Sequence, residues 1–198
     1  MTTYILAGGC DRRYPQYMSA LARVIQTEVN APRILSCWFS NPDDEAPDKF
    51  ASYSSYFLQN FAQGTTVKMA EADSFLEQVA EADMVYFHGG HSKLLLDKMQ
   101  HYGDMKAAFE GKIIVGSSAG AVYLSSMSYS PTARAVVQGS GATSLNTVVH
   151  YGSEGFGDKT FESSFWHEAT EAVRAASDSG EVVVLPEGTF IVVKQQGL

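Results

Sequence analysis

The segment Gly116-Ser117-Ser118-Ala119-Gly120 follows the apolar run Ile113-Ile114-Val115 and leads into Ala121-Val122-Tyr123-Leu124. Its pattern is G-x-S-x-G, in which a serine sits on a sharp turn from a strand into a helix. Small neighbours let the two backbones approach, and amides at the helix start face any charge that develops beside the serine. Two readings stand at this level: a turn tightened for packing, or one that lifts Ser118 for nucleophilic attack. Attack would require a base, and the base a group that orients it.

Five histidines are available as the base. His101 lies in a polar, helix-like stretch, and His167 follows Trp166 on a later helical pattern. His88 and His91 flank Gly89-Gly90. His150 ends the apolar run of "LNTVVHYG" before a glycine loop, which places it at a strand end. His88 and His91 are spaced like neighbouring metal ligands, but no cysteine or carboxylate nearby completes a set, so no metal is expected. No glycine-rich nucleotide fingerprint occurs either, and no cofactor is expected. Cys10 and Cys37 are too few for a disulfide framework, and neither lies on an elbow or in a C-x-x-C motif.

The elements that would position these groups follow from periodicity. Short apolar runs at Tyr4–Ala7, Ile34–Phe39, Met84–Phe87 and Ile113–Val115 have the character of strands covered on both faces. Val182–Leu185 and Phe190–Val193 add two more, and the "PEG" between them predicts a closing hairpin. Helical stripes run through Met18, Leu21, Ile25 and Val29 from near Pro15, through Phe50, Tyr53, Phe57 and Phe61, and through Leu95 and Met99. Another runs through Trp166, Ala169, Val173 and Ala176. The aromatic stripe from Phe50 is spaced for core packing rather than for stacking a ligand. Strands alternating with helices predict an α/β fold with a mainly parallel sheet and helices on both faces. Ligands of such sheets bind beyond the carboxyl ends of the strands, where "AGGC", "HGGH" and "GSSAG" fall.

The chain has 198 residues, 45% of them hydrophobic, without repeats or linkers, and is expected to form a single domain over 1–198. A formal charge of −8 excludes a nucleic-acid partner of the usual basic kind. No apolar segment approaches the roughly 20 residues that span a bilayer, so no membrane partner and a cytoplasmic location are expected.

Four blocks, "YFHGGHSKLLLDKM", "IIVGSSAGAVYL", "NTVVHYG" and "LPEGTFIVV", resemble in order and separation those of peptidase family S51, which includes aspartyl dipeptidase and, more distantly, cyanophycinase. The resemblance spans roughly residues 80 to 193. It implies a three-layer α/β/α sandwich akin to class I glutamine amidotransferases and hydrolysis of short peptides by a serine-type mechanism. It makes Ser118 the nucleophile, His150 the base and Glu187 the third member of the triad. The oxyanion would be held by the amides of Gly90 and Ala119, with Gly89, His91 and Lys159 as substrate contacts, in a monomer or homodimer. A degenerate domain that only binds a small molecule or a protein is the alternative.

Two departures from the family pattern shape the expectations. Aspartyl dipeptidase carries, after its histidine, an arginine that pairs with the substrate's aspartate. The corresponding stretch here, "SEGFGDKTFESSFWHEA", has Lys159 as its only cation. An ammonium does not reproduce a bidentate guanidinium, so strict specificity for N-terminal Asp is not expected. The chain also stops soon after Phe190–Val193, and that last strand is expected to lie exposed or against a partner.

Overall fold

The computed structural model describes residues 1–9, 11–156, 159–162 and 164–196, with the backbone only of residues 11, 156 and 159. A six-stranded sheet forms its centre, built from β1 (Thr2–Ala7), β2 (Arg33–Cys37), β3 (Thr66–Met69), β4 (Met84–Phe87), β5 (Ile113–Ser117) and β12 (Phe190–Gln195). Their spatial order is β12-β1-β5-β4-β2-β3. The first five chain strands run parallel, and β12 closes the edge antiparallel to β1.

Successive side chains of a strand point to opposite faces, and here both faces are apolar. Tyr4, Leu6, Leu35, Val85, Phe87 and Ile114 join one core cluster. Ile5, Ala7, Ile34, Met84, Tyr86, Ile113 and Val115 join the other. The second face is covered by α1 (Pro15–Gln26) and α2 (Ala46–Asn60), through Tyr17, Met18, Leu21, Ile25 and Phe57. The first is covered by α3 (Phe75–Glu81), α4 (Ser92–Gln100) and α5 (Ala119–Leu124), through Phe75, Val79, Leu95, Met99 and Val122. The result is three layers, α/β/α.

Beyond α5 the chain builds a second sheet from β6 (Met127–Ser130), β7 (Ala135–Gln138), β8 (Asn146–Val149) and β11 (Val183–Leu185), in the order β11-β8-β6-β7. Between β8 and β11 lie a small ribbon, β9 (Gly155–Phe156) with β10 (Lys159–Thr160), and α6 (Phe165–Ala176). α6 packs Trp166, Ala169 and Val173 against Val148, with Phe161 and Phe165 at the margin.

The C-terminal hairpin does not form. β11 pairs in parallel with β8, whereas β12 leaves for β1 in the other sheet. The "PEG" turn therefore crosses between sheets, because β8 and β1 each offer an open edge that β11 and β12 would not satisfy by pairing together. β12 remains an edge strand, with Val192 39% exposed.

Candidate active site

The strand order puts β1, β5 and β4 side by side, so the glycine-rich segments at their carboxyl ends converge on one spot. Ser118 is the first residue past β5, with φ 52° and ψ −107°. Positive φ is uncommon for any residue but glycine and costs roughly 1–3 kcal/mol. Its neighbours show why the pattern needs glycine. A methyl group on Gly116 would lie 2.5 Å from the Gly120 carbonyl carbon, and one on Gly120 would lie 2.3 Å from the Phe87 carbonyl oxygen. The Ser118 amide donates to the Ala7 carbonyl at 3.0 Å and so ties the turn to β1.

His150 follows β8, buried and with φ 57°. Its Nε2 lies 2.8 Å from Ser118 Oγ, and its Nδ1 lies 2.9 Å from Glu187 Oε1. A carboxylate can only accept hydrogen bonds, so Nδ1 carries the proton and Nε2 is left to accept from the serine. Glu187 reaches this position from the turn between β11 and β12, with its side chain only 8% exposed. The Arg13 guanidinium stands 4.0 Å from its second oxygen. The three groups form one relay from a hydroxyl to a buried acid.

The tip of β1 holds this relay together. The Gly8 carbonyl accepts from the His150 amide at 3.1 Å, and the Gly9 carbonyl accepts from the Gly188 amide at 3.0 Å. Gly9 has φ 102°, and a methyl group there would lie 2.6 Å from His150 Cε1 and 3.0 Å from Ser118 Cβ. The sequence marks "AGGC" as well placed but not as the floor under the imidazole. The only signal was a glycine pair after the first strand. Cys10 lies outside the described residues.

A narrow crevice with a free volume of about 10 Å³ lies at the serine, lined by Gly90, Ser92, Ser118, Ala119, Ser130 and His150, with Val122, Pro131, Thr132 and Val149. Ala119 is the first residue of α5, where an amide has no intrahelical acceptor. Gly89 borders the serine directly: a methyl group on it would lie 3.2 Å from Ser118 Cβ. His91 precedes α4 and is exposed. Lys159 lies in β10, and its side chain is outside the described residues.

The other candidate groups lie apart from this relay. His88 is buried, stacked on Trp38 at 3.6 Å between ring centroids, with Nε2 2.8 Å from Ser36 Oγ. Burial holds its pKa well below the ordinary histidine value. Burial also pushes the Cys37 thiol up to about 12, away from thiolate chemistry. His101 ends α4, and His167 lies on α6, where it is exposed.

The family model of peptidase family S51 matches residues 49–198, a span that contains Gly90, Ser118, His150 and Glu187 but not the tip of β1. The chain belongs to peptidase family S51. No curated protein matches it. Among solved structures, a protein provisionally named a peptidase E, from Listeria monocytogenes EGD-e, superposes with a TM-score of 0.65 at 13% identity. The match covers 99% of this chain and 100% of that one, a likeness of fold. S51 membership makes the protein a peptidase-type hydrolase by descent. Among the described residues, no helix is long and apolar enough to cross a membrane.

Proposed function

We propose that this S51 member is a serine-type peptidase acting on short peptides, with Ser118, His150 and Glu187 as its catalytic triad. The observation that carries the reading is the unbroken relay from Ser118 Oγ to Glu187, built on a serine held at positive φ. Ser118 Oγ attacks the scissile carbonyl carbon while its proton passes to His150 Nε2. The former carbonyl oxygen becomes an oxyanion, received by the amides of Gly90 and Ala119. His150 then gives the proton to the leaving amine, the C–N bond breaks, and an acyl ester remains on Ser118. Water repeats the sequence and releases the acid. Glu187 holds the imidazole in the required tautomer and stabilises the imidazolium.

The cleft also bears on the substrate. Its hydroxyls, Ser92, Ser130 and Thr132, are linked at 3.0 and 3.1 Å, and among the described residues lining it only the triad histidine is ionisable. A carboxylate buried there without a guanidinium loses several kcal/mol of hydration, and each 1.4 kcal/mol is about tenfold in affinity. The proposed substrates are therefore short peptides with small or uncharged N-terminal residues, not N-terminal aspartyl peptides in particular.

The test combines a fluorophosphonate probe with a dipeptide panel. Wild type is expected to label and Ser118→Ala not to. Ala-Leu and Ser-Leu should be cleaved at least as well as Asp-Leu. A hundredfold preference for Asp-Leu would overturn the specificity reading. Failure of both labelling and hydrolysis would make the protein a binding domain.

A further inference from the structure

The Gly89–Gly90 peptide has no side chain to fix it. With two glycines the peptide plane is free to flip, and a flip would present a carbonyl oxygen where an N–H is needed. The structure supplies an external clamp from the loop after β2. Because β2 and β4 are paired neighbours, residues 38–41 run beside residues 88–91. The His88 amide donates to the Cys37 carbonyl at 3.0 Å, and the His91 amide donates to the Ser40 carbonyl at 2.7 Å.

Within that frame the carbonyls of the glycine segment are engaged by side chains. Ser40 Oγ lies 2.9 Å from the His88 oxygen and 3.0 Å from the Gly89 oxygen. Asn41 Nδ2 donates to the same Gly89 oxygen at 3.1 Å. The orientation of the Asn41 amide is itself determined, since Lys49 Nζ donates to Oδ1 at 2.6 Å and an ammonium has no acceptor. Ser40 is fully buried and Asn41 nearly so. The fit is close: a methyl group on Gly90, whose φ is 152°, would lie 2.4 Å from the Ser40 carbonyl oxygen.

In a trans peptide the C=O and the following N–H point in opposite directions, and the described chain contains no cis bond. Holding the Gly89 carbonyl toward Ser40 and Asn41 turns the Gly90 N–H the other way, into the cleft that Gly90 shares with Ser118 and Ala119. We propose that Ser40 and Asn41 are positioning residues for the oxyanion hole, locking the Gly89–Gly90 peptide so that its N–H faces the nucleophile. The proposal rests on the peptidase reading given above. Neither residue touches the substrate; both act through one backbone amide.

The experiment compares wild type with Asn41→Ala, Asn41→Asp and Ser40→Ala on the best dipeptide, with a peptide aldehyde as a mimic of the tetrahedral adduct. Loss of one oxyanion donor costs about 10²–10³-fold in kcat. A loosened donor should cost about 10–100-fold in each single variant, with KM within about threefold. Aldehyde affinity should fall in step with kcat/KM, and the thermal midpoint should stay near that of wild type. Asn41→Asp preserves the shape but sets an acceptor against the Gly89 oxygen, and should be at least as poor as Asn41→Ala. Lys49→Met, at a half-exposed position, should give a smaller loss of the same kind if the buried variants fold badly. Wild-type kcat in Asn41→Ala and Lys49→Met overturns the proposal, as does a loss confined to KM or one that aldehyde binding does not follow. A wild type that neither cleaves dipeptides nor labels at Ser118 overturns the peptidase reading, and this proposal with it.

Discussion

His88 and His150 are both buried, and each has its Nε2 2.8 Å from a serine hydroxyl. Their surroundings differ in three ways. His150 has a carboxylate on its second nitrogen, whereas His88 is stacked on Trp38 and bordered edge-on by Tyr53 and Phe57. Ser118 faces a cleft from a strained turn, whereas Ser36 is fully buried within β2 and also accepts from the Trp38 indole at 3.0 Å. His150 is held by the tip of another strand, whereas His88 continues its own. A serine–histidine distance is therefore not a site. The acid, the access and the backbone strain separate the pair proposed to react from the structural one.

The widest separation between the pairs should come from deleting the hydroxyls. Ser118→Ala or His150→Ala should lower hydrolysis by about 10⁴–10⁶-fold, with the double variant scarcely worse than either single one. Glu187→Gln should cost less, since it disturbs tautomer and charge but leaves the nucleophile. Ser36→Ala should leave probe labelling intact and lower stability by about 1–3 kcal/mol, through the unpaired His88 and indole. Equal loss of labelling in both serine variants would erase the distinction.

A methyl group at Gly9 probes the floor under His150 alone. Gly9→Ala must combine a φ of 102° with a contact of 2.6 Å to the imidazole, and should lower kcat at least 100-fold. Gly111→Ala has φ 74° but open space around the added methyl group. It should lower the thermal midpoint by only about 2–4 °C, with activity kept. Similar activity in the two variants would show that the Gly9–His150 contact is not what positions the base.

The smallest effect is a pH dependence of stability assigned to His88. Its folded pKa lies below the unfolded value near 6.5, because burial disfavours the imidazolium. Between those two values the unfolded chain binds the proton and the folded chain does not. This contribution is therefore whole above about pH 6.5 and is lost as pH falls toward the folded pKa, by up to about 1.4 kcal/mol per pH unit. Urea unfolding at pH 7.5 and 5.5 should show a smaller difference in His88→Gln than in wild type. An unchanged difference would move the titration elsewhere.

Legibility in the sequence followed the distance over which each constraint acts. β1, β2, β4 and β5 and the helices α1, α2, α4 and α6 announce themselves through local periodicity. In the second sheet β8 and β11 do so as well, but β6 and β7 do not, and the chemistry of β6 explains why. The buried face of β6 is Ser128 and Ser130 rather than a run of aliphatics. Ser128 Oγ donates to the Thr147 carbonyl at 2.9 Å, and Ser125 Oγ lies 2.8 Å from Thr147 Oγ1. A strand that is satisfied by hydroxyl pairs has no apolar signature to count. β3 is silent because it alternates between exposed and half-buried positions and is only four residues long, and α3 because its seven residues offer only the single apolar pair Phe75 and Val79 to the core.

The elbow at Ser118 was set by the sequence itself, because the demand for small residues where a strand turns into a helix is met by five adjacent positions. The same holds for the helical stripes, the two-faced strands and the net charge of −8. The family resemblance names His150 and Glu187, but that His150 meets Ser118, that Glu187 meets His150, and which peptide is clamped are matters of tertiary contact. Glu187 is separated from His150 by 37 residues and His150 from Ser118 by 32, while Ser40 and Asn41 lie 49 and 48 residues from Gly89. What unites them is the lateral order of strands β1, β5, β4 and β2. That order is set by the burial of both sheet faces at once, a sum over the whole core that no short segment records.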